Sequence, residues 1–318
     1  MDEINARLIY LFTDLILPLI VGYVLYQRHL LSDTAVNRLI RINVIVFFTL
    51  LSLFSFWALP LTRDLLMLPA FFAFIILFPG FISWRLIGRR FRSPIDRGTH
   101  LISALLSNIG TLGGICAYII YGERGFAYAQ IGGACQNLAL VILAFPIAQY
   151  YYLLNKTHGR AARLEGRSFL GLLISWNQLS ILGMAAGLLL NAGGVTRPPV
   201  LSEAFGYIIH VSAWFAMLPV GSLINLRRAR HFVYLTLDMI ALRFLIVPLF
   251  TFFAARIFIS DPVVQNALVI FAGVPAAINA TLTARLYRLN VDYTIAVFLV
   301  TTVLYLTILF PVTFFLFR

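Results

Sequence analysis

Along the chain, apolar residues do not alternate with polar ones. They come in blocks near 20 residues long, divided by short clusters rich in Arg, Asp, Asn and Gly. A helix rises about 1.5 Å per residue, so a block of this length crosses a hydrocarbon core about 30 Å thick. The blocks predict ten helical spans, near residues 8–26, 38–59, 65–84, 101–121, 126–151, 172–192, 204–224, 233–257, 263–286 and 293–317. The connections between them are short and leave no room for a separate soluble domain.

Composition narrows the class. Hydrophobic residues fill 61% of the 318 positions and charged residues only 11%, against roughly 25% charge in a soluble domain. A water-soluble fold would have to bury nearly every helix on all sides, so the expected class is an all-α membrane protein set in a lipid bilayer. The net charge of +12 would suggest nucleic acid if the cations formed one face. They lie instead singly or in small groups between the apolar blocks, which is the pattern of membrane anchoring. No nucleic-acid partner is expected. The opening MDEINAR is acidic rather than basic and the first apolar block is full length, which argues against a cleaved leader.

The cations also orient the chain. Connections after odd-numbered spans carry 17 Lys and Arg, the termini and the other connections carry 6, and Arg243 lies inside span 8. Positive residues stay on the cytoplasmic side. This puts both termini on the non-cytoplasmic side of a cell membrane, inner or plasma. The arginine run over 85–97 reads as a topology determinant that also meets anionic lipid.

Ten spans divide into five plus five, as 1–165 and 166–318. Five is odd, so the second half would be inverted relative to the first. At an offset of 165, Gly22 meets Gly187 and Phe145-Pro146 meets Phe310-Pro311. Inverted repeats with interrupted helices at equivalent places are a common transporter plan. Span 4 is interrupted by Asn108-Ile-Gly-Thr-Leu-Gly-Gly114, span 9 by Ala272-Gly-Val-Pro-Ala-Ala-Ile-Asn279. Glycines weaken a helix, and Pro275 removes a donor and clashes with the preceding turn. Backbone freed at that depth is tolerated only inside protein or beside a wet cavity. If spans 4 and 9 run oppositely, their second half-helices both start near the middle, and their free N–H groups favour an anion.

At these residues the chain resembles the auxin efflux carrier family, the PIN-like transporters and their bacterial relatives. The family's span-4 pattern is close to Asn-x-Gly-x-x-Gly-x-Pro, with a further Gly seven residues on. Asn108, Gly110, Gly113 and Gly122 fit it, and Ile115 stands where Pro is usual. The span-9 pattern is close to Met-Pro-x-Ala-Pro-x-Ala. Val274-Pro275-Ala276-Ala277-Ile278-Asn279-Ala280 follows it, with Ile278 in place of the second Pro, then Ala284 and Tyr287. Asn290-Val-Asp292, Thr301-Thr302 and Gly22-Tyr23 also fit, while Phe47 replaces a usual span-2 Pro. The resemblance implies a bile-acid-transporter or sodium–proton-antiporter type of fold. Spans 4 and 9 would cross, with a scaffold of spans 1–2 and 6–7 and a transport domain of spans 3–5 and 8–10. It also implies elevator-type movement of organic anions, often carboxylates, frequently by homodimers.

The expected substrate-binding set is therefore Asn108, Gly110, Gly113, Gly114, Ile115, Gln136, Asn137, Pro275, Ala276, Ile278 and Asn279. Gln136 and Asn137 have a second reading, as polar residues joining helices. Arg243 lies near mid-membrane, where an ionised side chain costs about 2.5–3.5 kcal/mol or more. It is either a counter-charge for an anion or half of an ion pair with Asp14 or Asp238. Asp14 is either a proton-coupling carboxylate or a side chain snorkelling outward. His210 and Gly183-x-x-x-Gly187 read as helix packing. Cys116 and Cys135 lie in apolar blocks without metal or disulfide spacing, and no metal or cofactor is expected. No nucleotide motif, paired acids or Ser–His set points to ATP hydrolysis or to an enzyme. The rival classes are a sodium-coupled bile-acid-type symporter and a non-transporting membrane receptor.

Overall fold

The computed structural model describes residues 9–157, 179–222, 234 and 236–317. Among them every regular element is helical, and the one β-type pairing is an isolated antiparallel bridge between Ser107 and Ala276. In chain order the helices are α1 (Phe12–Gln27), α2 (Asp33–Trp57) and α3 (Arg63–Arg90). Then come α4 (Pro94–Leu105), α5 (109–121) and α6 (123–156). The rest are α7 (Leu179–Ala192), α8 (Pro199–Ser222), α9 (Leu237–Phe258), α10 (Pro262–Ala272), α11 (Ile278–Leu286) and α12 (Val291–Phe317). The start of expected span 6 and the boundary between the two expected halves lie outside the described residues.

Six stretches are long and apolar enough to cross a membrane: Asp33–Trp57, Arg63–Arg90, Ile109–Lys156, Pro199–Ser222, Leu237–Phe258 and Val291–Phe317. They mark a multi-pass membrane protein. Ile109–Lys156 is 48 residues of nearly continuous helix, but it is a hairpin and not a rod. Gly122 has φ 63° and ψ −149°, a conformation open to glycine alone. The chain doubles back there, so that Gly110 meets Gly133 and Gly114 meets Ala129.

Several helices begin before the apolar blocks do. α2 starts at Asp33, where the Ser32 side chain accepts from Ala35 N at 3.2 Å. α4 starts at Pro94, not at 101. Their first turns are polar, which hydropathy does not register, but they are well capped or proline-initiated. Inside the long helices, Pro146, Pro248 and Pro311 each follow a wider π turn, at Leu140–Ala144, Leu242–Ile246 and Tyr305–Leu309. A proline ring crowds the carbonyl four residues back, and one widened turn accommodates it.

Two helix pairs pack in parallel and very closely. α1 lies on α8, with Asp14 beside His210 and Gly22 against Leu218. α7 lies on α2, with Gly183 against Thr49, Gly187 against Leu53 and Asn191 against Phe56. A Cβ on Gly22 would come 2.0 Å from the Leu218 carbonyl oxygen, and one on Gly187 2.4 Å from that of Leu53. Only a residue without a side chain permits such backbone contact, as small residues do at helix interfaces in lipid. The reading of Gly183-x-x-x-Gly187 as helix packing agrees with these contacts. A small cluster of Phe48, Leu51, Phe54, Phe126, Phe205 and Ile209 joins α2 and α8 to α6. The larger apolar core fills the rest of the bundle.

Candidate functional site

Two interruptions meet in the core. Leu106, Ser107 and Asn108 separate α4 from α5, and residues 273–277 separate α10 from α11. The two strands of backbone run antiparallel and pair. Asn108 N donates to Pro275 O at 2.9 Å, and Ala277 N donates to Leu106 O at 3.0 Å. Proline at 275 keeps its carbonyl for this bond while its missing N–H stops α10 from continuing. The crossing thereby satisfies peptide groups that the broken helices leave free, which a membrane interior requires.

The outward-facing N–H groups of the bridge find side chains. Ser107 N and Ser107 Oγ both donate to Gln136 Oε1 at 3.2 Å, and Gln136 Nε2 reaches Leu105 O at 3.5 Å. On the other strand, Ala276 N donates to Thr301 Oγ1 at 3.2 Å. Gln130 Nε2 donates to Gly110 O at 3.0 Å. So Gln136 joins α6 to the end of α4, and it does so through the backbone at the crossing. Ser107 and Gln130 were absent from the expected set. Their signal in the sequence is only that each is a polar residue in an apolar block.

Asn108 caps α5: its side chain accepts from Leu112 N at 3.5 Å and its carbonyl from Gly113 N at 2.9 Å. It is 9% exposed. Gly110, Ile278 and Asn279 are half-buried at the starts of α5 and α11, Asn137 is half-buried on α6, and Gly113, Gly114 and Ile115 of α5 are buried, as are Pro275 and Ala276 of the crossing. Ile115 packs into the large core, and Ile278 opens α11. α11 has no side-chain cap at its N-terminus. The first turns of α5 and α11 thus both begin at the crossing.

Arg243 is fully buried on α9. It pairs with neither expected carboxylate. Its Nη2 donates to Ala104 O at 2.5 Å and Ser103 O at 3.2 Å, the last turn of α4, where helix carbonyls lack intrahelical partners. Asp238 pairs with Arg90 instead. Asp14 is 5% exposed and its Oδ2 lies 2.5 Å from His210 Nδ1, so it does not snorkel outward. Thr13 Oγ1 adds a bond of 3.2 Å to its other oxygen. The His210 ring is tilted against Tyr10 at 4.3 Å and edge-on to Tyr118 at 6.3 Å. His210 is therefore packed, as expected, and also carboxylate-bound, which the sequence reading missed. Cys116 is buried and free. No group of three or more His, Cys, Asp or Glu that could hold a metal occurs among the described residues. The arrangement offers peptide dipoles, neutral amides, the Ser107 and Thr301 hydroxyls and one buried guanidinium. Comparison with family models and with curated proteins finds no match to this chain.

Proposed function

We propose that this chain is a secondary-active transporter of small organic anions, of the carboxylate class, with its site at the crossing of the two interrupted helices. The observation that carries the reading is the antiparallel bridge between Ser107 and Ala276, where two half-helices begin and no acidic side chain lies. Two helix N-termini start there, and the Arg243 guanidinium on the end of α4 adds the positive charge that tips the crossing toward an anion.

The fold behind the proposal is ten spans in two inverted halves of five, in a cell membrane with both termini outside. Correspondences at an offset of 165 support it. Gly22 on Leu218 becomes Gly187 on Leu53 when each residue moves by 165 toward the other half. The π turn Leu140–Ala144 maps onto Tyr305–Leu309 at the same offset. Gln136, which takes the Ser107 N–H, maps onto Thr301, which takes that of Ala276. Asp96 in the first turn of α4 accepts from Asn290 Nδ2 at 2.8 Å, and its counterpart Asp261, the cap of α10, accepts from Arg124 at 3.0 Å. Resemblance to the auxin efflux carrier family agrees with this layout. In that layout α1, α2, α7 and α8 form a scaffold, the other helices form the moving domain, and the protein works by elevator-type alternating access as a homodimer.

The test is radiolabelled flux into proteoliposomes across mono- and dicarboxylates with imposed proton or sodium gradients. Uptake of at least one anion, driven by a proton gradient or by membrane potential, is expected. Intact protein that moves no anion would sink the transporter reading, and binding without flux would favour a receptor. Uptake that depends on sodium would favour the bile-acid-type symporter.

A further inference from the structure

We infer that Arg243 sets the charge of the crossing and makes it a site for a single negative charge, with Arg243 acting through the end of α4 rather than only by contact. The inference deepens the transporter reading and rests on it for the location of the site. Four helix ends meet at the crossing: the N-termini of α5 and α11 and the C-termini of α4 and α10. Each end carries about half an elementary charge, positive at an N-terminus and negative at a C-terminus. Left alone the four cancel, and crossed helices by themselves choose no sign of ligand.

The cancellation is broken at one end. The Arg243 guanidinium covers the carbonyls of Ser103 and Ala104 at the C-terminus of α4. Among the described residues α10 has no equivalent. It closes on its own backbone, with Gly273 N donating to Val269 O and Ile270 O, and no Lys, Arg or His lies between Arg256 and Arg285. Nor does a carboxylate pair with Arg243 among the described residues. Residues 97–122, 125–157 and 262–291 contain no Asp or Glu. Acids on the helices around it are held elsewhere: Asp238 by Arg90, Asp96 by Asn290, Asp14 by His210, Asp261 by Arg124 and Glu123 by Arg197.

Two of the three guanidinium nitrogens, Nε and Nη1, are buried and take no partner among the described residues. The cation is thus held by one nitrogen, and its charge is left uncompensated in a low-dielectric interior. A bound monoanion offsets that charge. A dianion would carry a second charge with nothing to pair it, and a neutral analogue would leave the guanidinium unpaired, each of which is costly when buried. The substrate class that fits is an organic monoanion, a monocarboxylate whose remainder is uncharged.

The test uses the purified full-length protein with matched probes: benzoate, benzamide and phthalate, and butyrate, butyramide and succinate. Binding is read by the shift in unfolding temperature and flux in proteoliposomes. We expect at least one monocarboxylate to bind, with its dianion and amide partners weaker by about tenfold or more, as for a unit charge acting over several ångström away from water. Arg243→Gln keeps an amide donor for the carbonyls and should erase the preference for monoanion over amide, while Arg243→Lys should retain it. Equal or tighter binding of the dianions, no binding of any monoanion, or an unchanged preference in Arg243→Gln would each overturn the inference. If Arg243→Gln does not fold, the wild-type comparison across the probes decides alone. Monoanion binding that depends on Arg243 but comes without flux supports the inference and overturns the transporter reading.

Discussion

The peptide N–H groups of Ser107 and Ala276 pose the same problem, since each points out of a two-residue bridge into a membrane interior. Each is answered by one side chain, Gln136 or Thr301. Removing an acceptor leaves a buried donor unsatisfied, at about 1–3 kcal/mol. Gln136→Leu and Thr301→Val should therefore both destabilise the protein by that amount, read as a lowered unfolding midpoint in detergent. If neither moves the midpoint, water replaces the side chains and the crossing is wetter than its burial indicates. Asn279 has a different place, half-buried at the start of α11. Asn279→Ala should weaken substrate affinity about tenfold, the effect of one lost hydrogen bond to a charged group, with the midpoint unchanged. Unchanged affinity would put the site elsewhere. The breaks themselves were legible, because Gly, Asn and Pro in an apolar block have a direct backbone consequence. The partners were not. A Gln in an apolar helix reads the same whether it joins helices or caps a broken one, and an arginine that binds carbonyls has no partner written in the sequence.

Glycines at the level of elements act by two different mechanisms, and substitution separates them. A Cβ on Gly187 would meet Leu53 O at 2.4 Å, whereas a Cβ on Gly122 would meet nothing within 4 Å. Gly187→Ala must push α7 away from α2 and should cost about 1–3 kcal/mol through packing. Gly122→Ala is free of contacts but must hold φ 63° and ψ −149°, and should cost about 1–3 kcal/mol through the backbone alone. The two differ in a second mutation. Leu53→Ala loosens α2 in the Phe48 cluster, so the helix and its residue-53 carbonyl can shift away from α7, and it should relieve part of the Gly187→Ala loss and none of the Gly122→Ala loss in a double-mutant comparison of unfolding midpoints. The hairpin between α5 and α6 was legible as a short connection at the right place. What hydropathy could not register was helix continued into polar turns, as at Asp33 and Pro94, because capping and a proline start fix those ends rather than apolar content.

Across the whole molecule, what joins the proposed scaffold to the proposed moving domain is mostly apolar and aromatic. Phe126 of α6 lies edge-on to Phe48 of α2 and Phe205 of α8, and Tyr118 of α5 lies against Phe205. Apolar rings can slide without breaking directed bonds. A contact of another kind also lies there. Arg197, between α7 and α8, donates to Phe54 O at 2.8 Å and to Ser202 Oγ at 2.5 Å on the scaffold side, and grips Glu123 beside the α5–α6 turn with bonds of 2.5 and 3.2 Å. A two-pronged Arg–carboxylate bond is directional and strong for its kind, so an elevator stroke must break it while the rings glide. Tethering the same two positions should then stop transport. Glu123→Cys and Arg197→Cys, in a chain with Cys116 and Cys135 replaced by alanine, can be joined by a cleavable thiol cross-linker. Flux in proteoliposomes should fall to background on cross-linking and return on cleavage, while each single variant keeps flux throughout. Substrate affinity measured on the tethered protein should be retained, because the crossing lies within one domain and needs no stroke to bind. Full flux in the tethered protein would mean that these two bodies do not move apart during transport, and the division into scaffold and elevator would have to be drawn elsewhere.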